Sequence, residues 1–170
     1  MTRIWKEKGF VENDSFVFET EEVKAGEGEA AVLDIDAFIA RAEESNEGGL
    51  AVRILPADDV TRLQPYIDRI ALVAVAFPAF NDGRAFSHAS LLRSRLGYRA
   101  EVRAVGDVLI DQIPLMLRCG IDSFAVSNET ALKRLAEGRL PGISRHYQPA
   151  AQTSDNPRSF GWRRIAGAAG

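Results

Sequence analysis

The sequence predicts an α/β protein with a mostly parallel sheet of four to five strands and βα repeats, in a doubly wound or partial-barrel-like arrangement, plus a short N-terminal β-hairpin. Short apolar runs such as Leu72–Phe77 are typical of strands buried on both faces. Helical stripes lie between them, most clearly in residues 84–96, where Ala85, Ala89 and Leu92 recur on one face. Strand–helix alternation at this spacing requires crossover connections and therefore a parallel sheet.

The first 28 residues are predicted to form a β-hairpin or extension. Strands are expected at Arg3–Val11 and Phe16–Glu22, because Asn13 and Asp14 between them favour a turn. The α/β domain is then expected to occupy residues 29–150. Residues 151–170 lack periodicity, and we expect a flexible C-terminal tail there.

The other elements follow from apolar periodicity and from helix start and stop signals. The expected strands are Leu50–Leu55, Leu72–Phe77, Glu101–Val105 and Ser123–Val126. The expected helices are one capped by Asp34 or Asp36 that ends near Gly48, one that starts near Thr61, then 84–96, Asp107–Cys119 and Asn128–Glu137. Pro114 removes a hydrogen bond from the helix at 107–119, so that helix is either kinked or begins later, near Asp111.

Composition excludes several classes of protein. The chain has 170 residues with 21 Lys+Arg against 24 Asp+Glu, and its net charge of −3 argues against a nucleic-acid binder that neutralises phosphates. One cysteine and two histidines exclude a disulfide framework and leave too few ligands for a typical zinc site, so no metal is expected. The longest apolar run is about half of what a membrane-spanning helix needs. We therefore expect a cytoplasmic protein that binds neither nucleic acid nor membrane.

Two unusually polar segments, residues 77–88 and 103–112, leave neighbouring strands of the predicted sheet. Ligands gather at the carboxyl ends of parallel strands, so these segments are the candidate binding site. The candidate residues are Asp82, Gly83, Arg84, Ser87, Arg103, Gly106, Asp107, Asp111 and Gln112.

Two interpretations of this junction remain open. Arg84 and Arg103, beside exposed helix N–H groups, fit a small oxyanion such as phosphate, sulfate or sulfite. Alternatively, Asp82 and Asp107 cap helices, Arg84 pairs with one of these aspartates, and the glycines only make turns.

Three further residues have side chains that could take part in chemistry. His88 is a candidate proton carrier, since an unperturbed histidine has a pKa near ~6.5, but in the first turn of a surface helix it is expected to be merely solvated, and His146 is expected to be structural. Cys119 is expected to be buried and inert, since no second cysteine or neighbouring histidine or lysine is present to lower its pKa. The chain also lacks dinucleotide, P-loop, GxSxG and HExxH motifs, so no cofactor is expected and no catalytic residue is assigned.

Four segments resemble a bacterial family of unknown function. They are FPAFNDGRAFS at 77–87, LLRSRLGYR at 91–99, EVRAVGDVLIDQ at 101–112 and RCGIDSF at 118–124, within a similarity that runs from about Leu50 to Gln148. Members of that family are commonly encoded beside the sulfite reductase haemoprotein and the adenylyl-sulfate reductase, and they carry an inherited label as oxidoreductases of sulfite reduction. Here His88 stands where an aliphatic residue is expected, which weakens any catalytic interpretation of this histidine.

The resemblance implies a role in assimilatory sulfate or sulfite reduction. The first hypothesis is an accessory protein that binds a small oxyanion or a sulfite reductase subunit at the 77–88/103–112 junction. The second is an enzyme acting on a sulfur-bearing metabolite with Asp82 or Asp107 as general base, which requires a carboxylate in a concave pocket with a raised pKa. A pure interaction module is the third. Unpaired edge strands would also give the chain reason to form a homodimer.

Overall fold

A computed structural model describes residues 1–18, 25–79 and 82–140. The strands are β1 (Arg3–Lys6), β2 (Gly9–Phe10), β3 (Phe16–Phe18), β4 (Ala30–Asp34), β5 (Leu50–Ile54), β6 (Ile70–Phe77), β7 (Glu101–Gly106) and β8 (Ser123–Val126). The helices are α1 (Ile35–Glu44), α2 (Arg84–Ser94), α3 (Ile113–Arg118) and α4 (Glu129–Ala136), with 3-10 helices at Val60–Arg69 and Ile110–Gln112. The predicted tail at 151–170 and His146 lie outside the described residues.

The described strands form one mixed sheet in the order β2-β1-β8-β7-β6-β5-β4-β3. The run from β3 to β8 is parallel, whereas β1 is antiparallel to both β8 and β2. The α/β class is therefore confirmed. The expected count of four to five strands and the mostly parallel sheet are wrong, because the N-terminal strands join the same sheet and add antiparallel pairs at one edge.

All the described helices pack on one face of the sheet. Strands β4 to β8 lie side by side in chain order, and right-handed crossovers between sequential neighbours place every helix on the same side. One large core shows this, since it joins strand residues such as Val52 and Val73 to apolar residues of α1 to α4. Of the two predicted arrangements, the structure has the partial-barrel-like one, because a doubly wound sheet carries helices on both faces.

The N-terminal hairpin differs from the prediction. Its strands are β1 and β2, and the chain turns before Gly9, whose φ of +130° suits glycine alone. β3, which was expected to pair with the first strand, lies at the opposite edge and pairs with β4. Long-range packing favours the pairing of β1 with β8 instead, because Trp5 of β1 contacts Phe124 of β8 with ring centroids 5.7 Å apart.

The helices largely follow their predicted positions. The short 3-10 turn at Ile110–Gln112 precedes α3, and Pro114 sits in the first turn of α3, so the later helix start is confirmed and no kink is needed. The segment Val60–Arg69 is a 3-10 helix rather than an α-helix and contains Pro65, which lacks an N–H for an α-helical bond. Asp59 caps it by accepting from Thr61 N at 3.0 Å. None of the described helices has both the length and the apolar character needed to cross a bilayer.

The face of the sheet without helices has its own core. Small and branched side chains from the centre of the sheet line it, and Ile4, Phe16 and Phe18 from the N-terminal segment pack against them. The central members are Val32, Ala51, Leu72, Ala74, Val105 and Ala125. The first eighteen residues therefore contribute strands to both edges of the sheet and apolar side chains to this second face.

Candidate functional site

The two polar segments are neighbours, as the sequence predicts. β6 and β7 pair in parallel with Phe77 opposite Gly106, so both segments leave the sheet at its carboxyl edge. Asp107 N donates to Phe77 O at 2.7 Å. Gly106 has a φ of +92°, and a Cβ atom there would lie 2.4 Å from Phe77 O. Only glycine permits this close approach of the two strand ends.

Asp82 and Arg84 form a local ion pair at the start of α2. Asp82 accepts from Arg84 N at 3.1 Å, from Nε at 3.0 Å and from Nη2 at 2.8 Å. These hydrogen bonds hold the pKa of Asp82 below its ordinary value. Arg84 therefore pairs with an aspartate, as the structural interpretation expects, but the N-cap residue of α2 is Gly83 and no side chain caps this helix. The lowered pKa also opposes the use of Asp82 as a general base.

Arg103 lies away from this pair. It is the third residue of β7, between Val102 and Ala104, which face the helices, so its side chain projects from the opposite face. Only 1% of the side chain is exposed. Arg103 therefore does not present a guanidinium at the strand tips beside Arg84.

The charge of Arg103 is fully met by acidic partners. Both carboxylate oxygens of Asp14 accept from its Nη atoms, at 2.5 and 2.8 Å, and Glu101 Oε1 accepts at 2.8 and 3.1 Å. The guanidinium also lies 5.5 Å from the Phe16 ring centre. Arg103 thus anchors the N-terminal segment to the sheet. The expectation that Arg84 and Arg103 together offer free guanidinium groups to one oxyanion is corrected.

Glu101 completes this buried network. Burial by itself raises the pKa of the Glu101 carboxyl, but hydrogen bonds from Lys6, Ser123 and Arg103 outweigh it and hold the pKa below its ordinary value. Lys6 Nζ and Ser123 Oγ each lie 2.6 Å from a Glu101 oxygen. The network is therefore a closed structural unit between β1, β7 and β8.

The other predicted residues line the carboxyl edge more loosely. Gly83, Ser87, Asp107 and Asp111 are exposed, and Gln112 is half-buried. Asp107 does not cap a helix, because α3 begins only at Ile113. Because Arg103 projects from the other face, Arg84 is the one arginine among the predicted site residues at this edge. Three of the predicted residues there are aspartates.

His88 is the residue that sequence reasoning missed. It is 9% exposed rather than solvated, and its Nδ1 is enclosed without a hydrogen-bond partner among the residues that the structure describes. Burial lowers the pKa of His88 below its ordinary value, against the opposing charges of Asp58, Asp59 and Asp82. The signal was present in the sequence, because His88 lies three residues after Ala85 and four before Leu92, on the same helical stripe.

Arg93 is a second polar residue of α2 that is buried. It is 4% exposed and donates to the carbonyls of Gly120 at 2.9 Å, Tyr98 at 2.9 Å and Ala100 at 2.7 Å. Its Nη2 also bonds Asp122 at 2.7 Å. Arg93 therefore ties the end of α2 to the amino ends of β7 and β8, and four of its five N–H donors are used within the fold.

A cavity of about 390 Å³ lies at the opposite edge of the sheet, between the amino ends of β4 and β5. Glu29, Arg41 and Glu47 contribute to its lining, and none of the predicted site residues does. Cys119 is half-buried, not buried as expected. Among residues 1–18, 25–79 and 82–140, no group of three or more potential ligand side chains is placed to hold a metal ion.

Comparison with known proteins identifies a family. The model described as "Bacterial protein of unknown function (DUF934)" matches residues 51–157. The match covers β5 to α4 and includes both polar segments. No curated protein and no solved structure matches the chain.

Proposed function

The chain belongs to this bacterial family of unknown function, and from that premise we propose that it is a cytoplasmic accessory protein of assimilatory sulfate or sulfite reduction. In this proposal it binds a sulfite reductase subunit, or a small oxyanion, at the junction of residues 77–88 and 103–112. The metabolic assignment depends on the implication of the family resemblance. The location of the binding site depends on the adjacent strand ends of β6 and β7.

One observation carries the choice of site. The pairing of Phe77 with Gly106 brings two polar connections together at the carboxyl edge of a parallel sheet, which is where such sheets bind ligands. Arg84 is exposed over 61% of its side chain there. Asp107 and Asp111 are exposed on the neighbouring connection. This edge offers charged groups to a partner without any change in the fold.

Charge favours a protein subunit over a free oxyanion as the ligand. The oxyanion hypothesis needs a surplus of guanidinium groups, but Arg103 is neutralised on the other face and Arg84 is paired with Asp82. A surface with more carboxylates than guanidinium groups repels a small anion and attracts a basic protein surface. The enzyme hypothesis receives no support from Asp82, because its pKa is lowered rather than raised.

Deletion of the gene tests the metabolic assignment. The deletion strain is expected to grow on sulfide or cysteine, but poorly on sulfate and on sulfite, as sole sulfur source. Growth on sulfite equal to that of the parent would contradict a role at the sulfite step.

Co-purification tests the partner. Tagged full-length protein is expected to retain a sulfite reductase subunit at stoichiometric yield, and to give no heat when titrated with sulfite, sulfate or adenylyl sulfate. Heat with one of these anions that is lost in Arg84→Ala would instead support the oxyanion version.

A further inference from the structure

The cavity at the amino ends of β4 and β5 is open because small residues surround it. Gly26, Gly48 and Gly49 line it, together with alanines of both strands and of the segment that leads into β4. A Cβ atom added at Gly48 or Gly49 would meet nothing within 4 Å beyond the neighbouring residues of the chain. The volume of about 390 Å³ lies within the range of about 300–1,000 Å³ that is usual for small-molecule sites. The cavity is therefore large enough for a small metabolite.

Arg69 holds one wall of this cavity in place. Its Nη1 donates to Ala42 O at 2.9 Å, its Nε donates to Glu47 O at 3.0 Å, and its Nη2 donates to Ser45 O. One guanidinium thus fixes the connection between α1 and β5, which carries three of the residues that line the cavity. Because this connection is already held by three hydrogen bonds, a ligand does not have to order it on binding.

Three charged side chains line the cavity, and their charges are only weakly matched. Arg41 Nη2 lies 3.4 Å from Glu47 Oε2, and both side chains are more than half exposed, so this ion pair contributes little. Glu29 Oε2 accepts from Gly26 N at 2.9 Å, which orients the carboxylate while its second oxygen keeps lone pairs for further donors. Within the described part of the chain, Glu29 has no ion-pair partner.

The lining also has an apolar part. Leu33, Phe38 and Leu50 contribute to it, and all three belong to or pack against the large core between the sheet and the helices. Phe38 is fully buried. The cavity therefore places charged groups of both signs at its exposed rim and hydrocarbon at its base.

The charge balance of the lining selects among small ligands. One guanidinium stands against two carboxylates, so an anion such as sulfate meets an excess of negative charge. A simple amine leaves Arg41 without a new acceptor and the apolar base without a contact. An α-amino acid with an aliphatic side chain carries an ammonium group, a carboxylate and a hydrocarbon group in one small molecule, and it matches all three parts of the lining.

We propose that this cavity binds a free α-amino acid with an aliphatic side chain. Glu29 and Glu47 accept hydrogen bonds from the ammonium group, Arg41 donates to the carboxylate, and the side chain of the ligand lies against Leu33 and Phe38. Arg41 exchanges its long contact with Glu47 for the ligand's carboxylate. The site is at the edge of the sheet opposite to the junction of residues 77–88 and 103–112, so it is a second site and does not depend on the proposed function.

The test uses three matched probes on the full-length protein. L-leucine carries both charges, N-acetyl-L-leucine lacks the ammonium group, and L-leucine amide lacks the carboxylate. We expect L-leucine to shift the backbone NMR signals of Gly26, Gly48 and Gly49 in a saturable way. Each derivative should bind at least ~10-fold more weakly, because each loses charge-assisted hydrogen bonds. The absence of a saturable shift with L-leucine, or equal affinity for L-leucine and either derivative, would overturn the proposal.

Matched variants separate the cavity from general surface charge. Glu29→Gln keeps an acceptor for Gly26 N, so it is expected to fold, and it should weaken binding of L-leucine at least ~10-fold. Arg41→Met should weaken binding of L-leucine but not of L-leucine amide, which has no carboxylate for Arg41 to bind. The controls Glu44→Gln and Arg62→Met remove the same charges from outside the cavity, and Arg62 is likewise paired with one exposed carboxylate. They should change the affinity less than about twofold. Equal losses in cavity and control variants would refute the assignment.

Discussion

Two regions of the molecule hold clusters of charge, and they differ in how completely the charges are paired. Around Arg103, on the face without helices, every charged group meets a partner of opposite sign within the fold. Around His88, at the carboxyl edge, two carboxylates lack ion-pair partners among the described residues and a ring nitrogen is enclosed without a hydrogen bond. The first region holds the N-terminal segment, whereas in the second the charges of Asp58 and Asp59 are not matched by an ion pair within the described part of the chain.

The difference shows that residue type alone does not reveal a binding site. Arg84 and Arg103 were predicted to act together because both follow or approach strand ends. The position of Arg103 within β7 and its contact with Asp14, 89 residues away, decide otherwise. A buried guanidinium with matched acceptors is a structural element, whatever its neighbours in the sequence suggest.

The largest effect is expected from Arg103→Met. Removal of the guanidinium leaves Asp14 without its ion-pair partner and Glu101 with Lys6 alone, and loss of one partner of a buried ion pair destabilises by about 3–5 kcal/mol. The free energy of unfolding from urea denaturation measures this. The matched control Arg84→Met removes an exposed ion pair and should shift the midpoint of urea denaturation by no more than the experimental error. Similar losses of unfolding free energy in the two variants would contradict the contrast between the buried ion pairs of Arg103 and the exposed ion pair of Arg84.

A second large effect is expected from Gly106→Ala, at the strand end that joins the two connections. A positive φ costs a non-glycine residue about 1–2 kcal/mol, and the contact with Phe77 O adds a packing cost of about 1–3 kcal/mol. The control is Gly97→Ala, whose φ is +67° with no atom near the new Cβ. Chemical denaturation should show the greater loss for Gly106. Equal losses would mean that the two strand ends separate easily.

A smaller effect concerns acid denaturation of the Arg103 network. The pKa of Glu101 is lowered in the folded protein, so its contribution to stability is complete above the ordinary glutamate value and is lost as the pH falls through the lowered one. Unfolding free energies measured from pH 6 to pH 3 should therefore fall less steeply in Glu101→Gln than in the unchanged protein. Parallel curves would show that Glu101 is not the group that titrates.

The smallest effect is expected at His88. Its pKa is lowered in the folded protein, so folding favours the neutral ring and stability is lost as the pH falls from about 6.5 towards the lowered value. Asp58, Asp59, Asp82 and Arg84 lie within electrostatic reach of the ring. Denaturation between pH 7.5 and 5 should show a slope that His88→Leu abolishes. A slope that persists in this variant must come from another group.

Local sequence signals predict the parallel strands well. Leu72–Phe77 was predicted and β6 spans Ile70–Phe77, and Ser123–Val126 is β8 as predicted, because strands buried on both faces are continuous apolar runs. The strand β4 (Ala30–Asp34) was not predicted, since its alanines give no clear strand signal. The pairing of β1 with β8 was also missed, because contacts between residues more than a hundred positions apart leave no local pattern.

The candidate site was predicted only in part, for the same reason. The adjacency of residues 77–88 and 103–112 follows from pairing of consecutive strands, and the structure has it. The burial of His88 was readable from helical spacing. The neutralisation of Arg103 could not be predicted from a local pattern, because it depends on where the chain around Asp14 crosses the sheet.

The way the first eighteen residues join the sheet has a consequence for synthesis of the protein. β1 leaves the ribosome before its partner β8, which is made about a hundred residues later, roughly 5–20 s at ordinary translation rates. During that interval Trp5 lacks Phe124, the ring that it packs against in the folded protein. The apolar side chain of Trp5 therefore stays exposed until β8 has been made.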